Sequence, residues 1–346
     1  MNVLSLFNGM STGHLALINL GYKIDNYYSS EIKPYAIELN QYHYPKTIQL
    51  GDVKNWQKWD IDWEKIDLIL SGSPCQDLSI AGNRSGINGS KSSLFWVFID
   101  ILNFVKSINP KVMFLQENVA SAPKKDVGIM SRSLGVYPVR FNSKLVVGAL
   151  RDRLYWSNIR TKPNGFFGDL ITDIPQPKDR NIKFKDILTN GSISKNKAGP
   201  VLEIKISDLS FDNNVQLNNL NKETKKINQI KSLLFIKNNE LRIKTNTTSG
   251  YDVITVDDCV NLSFPKSETR RGRVTKGKSP CLLEGGELLF SFNGKVIKSL
   301  NKVELCRLQG FPDNYCDILT RRQTESLVGD GWTLPIIEHI LKFINN

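Results

Sequence analysis

The chain has 346 residues, of which 40% are hydrophobic and 23% are charged, and its formal net charge is +12. These values are typical of a soluble globular protein with one large domain or two smaller ones. No apolar run is as long as a membrane span, and the N-terminus lacks the features of a signal peptide, so we expect a cytoplasmic protein.

The cysteines and histidines do not have the spacing of a metal site. No CxxC motif and no close Cys/His pair occurs among the five cysteines and three histidines, which are Cys75, Cys259, Cys281, Cys306, Cys316, His14, His43 and His339. The sequence therefore predicts no metal site and no disulfide framework, and a reducing compartment is the default expectation.

The first 21 residues predict a strand, a loop of small residues and a helix. The strand is Asn2–Leu6, the loop is Phe7–Gly13, and the helix His14–Leu20 ends at Gly21. This is the first unit of a nucleotide-type α/β sheet, in which backbone amides and a helix N-terminus face a negatively charged ligand group. Only two glycines occur in the loop, so the segment could also be an ordinary tight turn.

Acidic residues follow the next two predicted strands. Glu31 comes after the strand at 23–29, where it could accept hydrogen bonds from ribose hydroxyls, and Asp52 comes after the strand at 47–50. Asp52 could accept from an exocyclic amine, and Val53 could pack on a purine. Each acid alone is more often a solvated loop residue. Together with the first loop, they indicate an adenosine-shaped site.

A single cysteine follows the fourth predicted strand. The strand Ile66–Leu70 leads into Gly72-Ser73-Pro74-Cys75, which places a thiol at the carboxyl end of a parallel strand, where such sheets bind ligands. Cys75 is either a small buried residue in a turn or a covalent nucleophile. The next loop, 82–91, carries Arg84 and is expected to close over a substrate.

An acid and two arginines come next along the chain. A helix at 92–107 and a strand at 112–115 precede Glu117, so Cys75 and Glu117 are expected at the ends of adjacent strands. A carboxylic acid beside a thiol is a candidate proton donor. A strand pair is predicted at 137–144 and 154–157, and Arg151 and Arg153 flank Asp152 just before its second strand. The two arginines are either surface charges or ligands of a phosphate or a base carbonyl.

From about Pro163 the sequence becomes rich in Asn and Lys, which predicts a small second domain with long loops. Between Pro177 and Lys278 there are 20 Lys and Arg residues against 11 Asp and Glu residues. Such an excess suits contacts with nucleic-acid phosphates, although a solvated lysine-rich surface explains it equally well. The densest basic stretch contains Arg270, Arg271, Arg273 and Lys276. Regular patterns resume at 299–310, with Asn301 or Ser299 as the helix N-cap, and the chain ends with an amphipathic helix.

Seven sequence blocks, taken together and in order, resemble those of the DNA (cytosine-5) methyltransferase family. They are FNGMSTG (7–13), SE (30–31), GDV (51–53), GSPCQDLS (72–79), ENV (117–119), RDR (151–153) and GDGWTLP (329–335). The blocks are most similar to those of the animal de novo branch, although the simplest hypothesis is a stand-alone bacterial or phage enzyme.

The resemblance implies a fold and a set of site residues. The fold would be α/β, with a Rossmann-like S-adenosylmethionine-dependent methyltransferase sheet that has helices on both faces, plus a smaller target-recognition domain. The catalytic domain would cover 1–162 and 296–346, and the target-recognition domain 163–295. The catalytic residues would be Cys75, Glu117, Arg151 and Arg153. The cofactor-binding residues would be Phe7, Asn8, Gly9, Ser11, Thr12, Glu31, Ile32, Asp52, Val53, Ser73, Leu94, Asp330, Gly331 and Trp332. The DNA-binding residues would be Arg84, Arg270, Arg271, Arg273 and Lys276.

The activity implied by the resemblance is transfer of a methyl group from S-adenosylmethionine to C5 of a flipped-out cytosine in double-stranded DNA, through a Cys75–C6 adduct that leaves S-adenosylhomocysteine as product. Alternatives are a cytosine-5 methyltransferase of structured RNA, a catalytically silent DNA-binding homologue and a small-molecule dehydrogenase. The sequence implies no metal, no membrane partner and no particular restriction endonuclease, and it leaves the recognition sequence open.

Overall fold

The computed structural model describes residues 1–74, 93–165, 168–189, 199, 201–209, 222–267, 272–283 and 289–344. Its contacts divide the chain into two compact units. Unit 1 comprises Met1–Ser143, Asp152–Lys178 and Gly331–Asn346, and unit 2 comprises Lys144–Arg151 and Asp179–Asp330. The assignment of target recognition to 163–295 stays a prediction. Within the described residues no helix is long and apolar enough to cross a membrane.

Unit 1 is built on a seven-stranded sheet in the order β3-β2-β1-β4-β5-β7-β6. The strands are β1 (Asn2–Leu6), β2 (Asn26–Ser30), β3 (Ile48–Gln49), β4 (Ile66–Ser71), β5 (Met113–Val119), β6 (Val139–Asn142) and β7 (Asp152–Ser157). β7 runs antiparallel to its two neighbours, and all other pairs are parallel. The strand order reverses at β1 and β4, where open α/β sheets bind ligands. The α/β fold class is confirmed.

The α-helices contribute to both units. They are α1 (Thr12–Asn19), α2 (Pro34–His43), α3 (Leu94–Ile108), α4 (Lys124–Leu134), α5 (Lys222–Lys231), α6 (Lys302–Arg307), α7 (Arg321–Asp330) and α8 (Leu334–Leu341). Pro34 occupies the first turn of α2, as predicted, because its missing N–H and fixed φ suit that position.

Helices cover both faces of the unit 1 sheet. On β4, Ile69 belongs to a buried cluster with residues of α3 and α4, whereas the side chain of its neighbour Leu70 points to the opposite face. There, a Cβ atom added at Gly13 of α1 would lie 2.3 Å from Leu70 Cδ1, so only glycine allows this close packing. α8 packs beside α1, which ties the end of the chain to its beginning.

Unit 2 contains two antiparallel sheets. One has the order β10-β17-β16-β14-β15 and the other β11-β12-β13, and a separate hairpin, β8-β9, belongs to unit 1. The strands are β8 (Thr161–Asn164), β9 (Asp169–Thr172), β10 (Glu203–Lys205), β11 (Leu234–Lys237), β12 (Glu240–Lys244), β13 (Tyr251–Val253), β14 (Cys259–Asn261), β15 (Arg273–Thr275), β16 (Leu289–Phe292) and β17 (Val296–Ser299). Both sheets share one apolar core that includes Ile204, Ile243, Val260 and Phe290.

Candidate functional site

The loop after β1 has an unusual backbone. Phe7, Gly9 and Ser11 all have positive φ, at 56°, 52° and 56°. Residues other than glycine rarely adopt a positive φ, so Phe7 and Ser11 need support from their surroundings to hold this conformation. The loop that the sequence predicts to bind the cofactor therefore has a backbone conformation that its surroundings must hold.

A chain of buried polar side chains supports this loop. Ser11 Oγ accepts hydrogen bonds from Asn8 Nδ2 at 2.8 Å and from Asn40 Nδ2 of α2 at 2.6 Å. Asn8 Oδ1 accepts from Ser5 Oγ, and Asn40 Oδ1 accepts from Gln49 Nε2, both at 2.8 Å. The side chains of Asn8 and Ser11 therefore bond to one another and hold the loop, so any ligand contact from these residues would use the backbone.

His14, two residues into α1, lies between two aromatic rings. Its ring stacks on Tyr27 at a centroid distance of 4.0 Å and on Tyr44 at 3.9 Å. His14 is buried, and its Nδ1 has no hydrogen-bond partner among the residues that the structure describes. Burial lowers the pKa of His14 to about 4, so the ring is neutral at physiological pH.

Two predicted acids stand at strand ends with oriented carboxylates. Glu31 Oε2 accepts from the Gly9 amide at 2.7 Å, and Oε1 accepts from the amides of Ile32 and Lys33 at 2.8 and 2.9 Å. Because a carboxylate has four acceptor directions, Oε2 retains one for a hydroxyl of a ligand. Asp52 accepts from the Lys54 amide at 3.0 Å.

Apolar surface lies next to these acids. Ile32 keeps 69% of its surface exposed, directly after Glu31 in the chain. A fixed carboxylate can accept hydrogen bonds from ribose hydroxyls, and open apolar surface beside it can pack on a purine, so the residues present fit S-adenosylmethionine. Val53, Thr12 and Ser73 are buried and Leu94 packs against the core, so their predicted cofactor roles stay predictions.

Glu117 is held by two different donors. The structure extends β5 to Val119, so Glu117 lies within the strand and pairs with Tyr155 of β7. Its Oε1 receives an ion pair from Arg153 Nε at 2.8 Å, and its Oε2 accepts from Trp332 Nε1 at 3.1 Å. The structure therefore brings together three predicted site residues, Glu117, Arg153 and Trp332.

The residues that lead to Cys75 contact the same group. A Cβ atom added at Gly72 would lie 2.7 Å from Trp332 Nε1, so the indole packs directly on the backbone after β4. Ser73 Oγ accepts from Gln116 Nε2 at 2.9 Å, which links this segment to β5. β4 and β5 are adjacent and parallel, as predicted, with Ser71 paired to Gln116. Cys75 and Arg84 lie outside the described residues.

Arg151 has surroundings unlike those of Arg153. It is 4% exposed, and within unit 2 its guanidinium donates to the carbonyls of Leu282, Gly329 and Asp330 at 3.4, 3.1 and 3.1 Å. Arg151 thus binds the last carbonyls of α7, where a positive charge is favourable. Asp330 itself is exposed. The intervening Asp152 pairs with Arg140.

The predicted DNA-binding residues that the structure describes lie on and after β15. Arg273 is exposed, and Lys276 donates to the Val253 carbonyl and to Asp258 Oδ2, both at 2.8 Å. By contrast, Lys278 donates to the carbonyls of Lys144, Val147 and Ile182. Arg270 and Arg271 lie outside the described residues. In the part of the chain that is described, no group of three or more His, Cys, Asp or Glu residues could hold a metal ion.

Comparison with known proteins decides the family. The C-5 cytosine-specific DNA methylase family matches residues 1–134 and 147–346. The chain belongs to this family. Among its relatives, the type II methyltransferase M.HpaII of Haemophilus parainfluenzae is 24% identical over an alignment of 350 positions, which covers 97% of this chain and 86% of that protein.

A phage relative is similar to the chain in sequence, and a solved structure is similar to it in fold. The orphan methyltransferase M.SPRI of Bacillus phage SPR is 30% identical over 203 residues, which cover 55% of this chain but only 43% of the phage protein. The chain therefore matches less than half the length of that relative. The fold is similar to that of the S. pombe Dnmt2 methyltransferase, with a TM-score of 0.56 and 14% identity over 99% of this chain and 98% of the other.

Several residues that shape the site were not predicted from the sequence. Asn40 and Gln49 hold the Phe7–Ser11 loop from α2 and β3, and Gln116 links β5 to Ser73. Asn40 and Gln116 are buried and Gln49 is partly buried, but polar residues are common in loops and helices, so only their positions in the fold identify them. Gln116 directly precedes Glu117, which was the one available signal.

Proposed function

We propose that the protein transfers a methyl group from S-adenosylmethionine to C5 of cytosine in double-stranded DNA. The observation that carries the proposal is the family match over residues 1–134 and 147–346. The geometry supports it, because Glu117 is held at the end of β5 and the adjacent β4 leads into Pro74 and Cys75.

S-adenosylmethionine would be held by residues at the ends of β1, β2 and β3. The backbone of the Phe7–Ser11 loop, the carboxylates of Glu31 and Asp52, and the exposed side chain of Ile32 would make the contacts. When bound, it supplies an electrophilic methyl group. The buried hydrogen bonds of Asn40 and Ser11 would keep the loop in its binding conformation without ligand.

Cys75 would make C5 of cytosine reactive. Its thiolate lone pair forms a bond to C6, and the electrons of the C5–C6 double bond move to C5, which becomes nucleophilic. After C5 is methylated, a water molecule takes the C5 proton, the electron pair of that C–H bond restores the C5–C6 double bond, and the thiolate of Cys75 is expelled from C6. The base must leave the duplex for this attack, so the enzyme would flip it.

Glu117 would hold the ring during this addition. Each of its carboxylate oxygens already accepts one bond, from Arg153 or Trp332, and retains a second acceptor direction. These directions suit the exocyclic amine of cytosine and a proton at N3. With a proton at N3, the electron pair that the thiolate adds leaves the ring neutral rather than anionic. The fixed carboxylate would stabilise this protonated form by accepting hydrogen bonds from N3–H and from the amine.

Unit 2 would supply phosphate contacts. Arg273 and Lys276 are exposed there, and the same basic stretch contains Arg270 and Arg271. Since the relatives named above come from bacteria and phages, we expect the enzyme to act in the cytoplasm of a bacterial or phage-infected cell.

Methyl transfer from tritiated S-adenosylmethionine tests this function. The purified protein should label duplex DNA and leave tRNA unlabelled. Cys75→Ser should abolish labelling while affinity for S-adenosylhomocysteine, measured calorimetrically, stays within about twofold, because the thiol is not part of the cofactor contacts. Labelling of tRNA alone would support the RNA alternative instead, and a fully active Cys75→Ser variant would exclude the covalent route.

A further inference from the structure

Trp332 contacts both Glu117 and the backbone at Gly72, which leads to Cys75. Its indole N–H donates to Glu117 Oε2 at 3.1 Å, opposite the ion pair that Arg153 makes with Oε1. The side chains of Glu117 and Arg153 keep only 9% and 12% of their surface exposed. A buried carboxylate with a donor on each oxygen has a fixed plane, whereas a single donor would leave it free to rotate.

The position of Trp332 is itself fixed by its surroundings. The indole lies against Gly72, where any side chain would collide with Nε1 and Cε2. Thr333 follows, and its hydroxyl lies 2.8 Å from Ser143 Oγ. The next residues form α8, which is largely buried and packs beside α1. The ring therefore cannot move without disturbing the end of β4 or the start of α8.

We propose that Trp332 is a positioning residue that acts through Glu117. Its indole N–H and the Arg153 guanidinium together set the orientation in which the carboxylate meets the cytosine ring. The proposal rests on the proposed function, and it differs from a cofactor contact, the role that the sequence predicts for Trp332. It also explains Gly72, because only a glycine there leaves room for the ring.

Trp332→Phe separates these roles, because it keeps an aromatic ring and removes only the N–H donor. With both substrates saturating, kcat should fall about tenfold, since small errors in the placement of a catalytic group cost large factors in rate. The calorimetric Kd for S-adenosylhomocysteine should change less than about twofold. The matched control is Trp156→Phe, which loses a buried indole hydrogen bond to Ser131 in the same unit and should leave kcat unchanged.

A double-mutant cycle tests whether Trp332 acts through Glu117. In a Glu117→Gln background, Trp332→Phe should change the residual rate less than about twofold, because no ion-paired carboxylate remains to be oriented. Equal losses in both backgrounds would overturn the proposal. A fall in S-adenosylhomocysteine affinity with an unchanged kcat would also overturn it and make Trp332 a cofactor contact only.

A second measurement does not depend on the reaction. The indole N–H signal of Trp332 in a ¹⁵N correlation spectrum, assigned by its loss in Trp332→Phe, should move upfield in Glu117→Ala as the hydrogen bond disappears. An unmoved signal would contradict the contact itself. If the wild-type protein methylates no DNA but the signal moves, the proposed function fails while the link between Trp332 and Glu117 stands.

Discussion

His14 shows how a single buried side chain can make stability depend on pH. The ring is stacked between Tyr27 and Tyr44 in the first turn of α1, and burial lowers its pKa to about 4. The ordinary pKa of histidine is near 6.5, so in the unfolded chain His14 binds a proton first as the pH falls. The contribution of the neutral His14 ring to the free energy of unfolding is therefore fully present above pH 6.5 and is lost as the pH falls from 6.5 to about 4.

We expect the free energy of unfolding to fall by roughly 2 to 3 kcal/mol between pH 7 and pH 4.5 from this residue alone. Urea unfolding followed by circular dichroism at both pH values measures it. His14→Phe preserves an aromatic ring in the stack and cannot titrate, so it should lose much less stability over that interval. If the two proteins lose the same amount, His14 does not cause the pH dependence.

At the scale of elements, two lysines at the end of β15 differ sharply although only Gly277 separates them. Lys278 donates to three backbone carbonyls from two separate segments of unit 2, and burial lowers its pKa. The side chain of Lys276 is 63% exposed and pairs with Asp258, which also accepts from Thr255. Lys278 therefore holds the segment that carries Arg151, whereas Lys276 keeps an exposed side chain, as its predicted contact with a phosphate requires.

Lys278→Met should lower the free energy of unfolding by about 2 kcal/mol, because three backbone carbonyls, including that of the buried Val147, lose their donor. Lys276→Met is the matched control and should cost at most about 1 kcal/mol, because its side chain is largely exposed and the buried Asp258 keeps two hydrogen bonds from Thr255. DNA affinity should respond in the opposite order, and weaken more in Lys276→Met. Chemical denaturation and a fluorescence-anisotropy titration give the two rankings, and equal stability losses would contradict the account.

The starts of two helices were predicted correctly from residues at the helix ends. Pro34 opens α2, and Asn301 caps α6 in a reciprocal pair with Glu304, because these preferences are set by neighbouring backbone groups. The predicted end of the fifth strand was less accurate. β5 continues to Val119 because β7 pairs with it beyond the last residue of β4, and such a partner is distant in sequence.

The candidate site was predictable in composition more than in geometry. Glu117 and Arg153 were both identified from motifs, and the structure places them in one ion pair. The sequence grouped Arg151 with them, but the structure places its guanidinium on the carbonyls of Gly329 and Asp330. Arg151 lies only two residues before Arg153, but the direction of its side chain depends on tertiary packing, which sequence periodicity does not predict. The catalytic role predicted for Arg151 stays a prediction.

For the whole molecule, the net charge of +12 is unevenly distributed, with its main excess in the middle of the chain. If Arg84, Arg270, Arg271, Arg273 and Lys276 each neutralise one phosphate, the logarithm of DNA affinity should fall with the logarithm of salt at a slope of about 4.5. Affinity should then drop roughly 500-fold between 50 and 200 mM NaCl. Anisotropy titrations measure it, and Arg273→Ala should reduce the slope by about one. A DNA affinity that does not change with salt would show that these basic residues do not form the DNA-binding surface.

Bisulfite sequencing of a plasmid incubated with the protein and S-adenosylmethionine tests the central claim most directly. We predict cytosines protected from conversion at one defined sequence context, with protection absent in Cys75→Ser and strongly reduced in Glu117→Gln. The same experiment identifies the target sequence. Complete conversion of every cytosine, from a protein that binds S-adenosylhomocysteine and DNA, would contradict the assignment of cytosine-5 methylation to this chain.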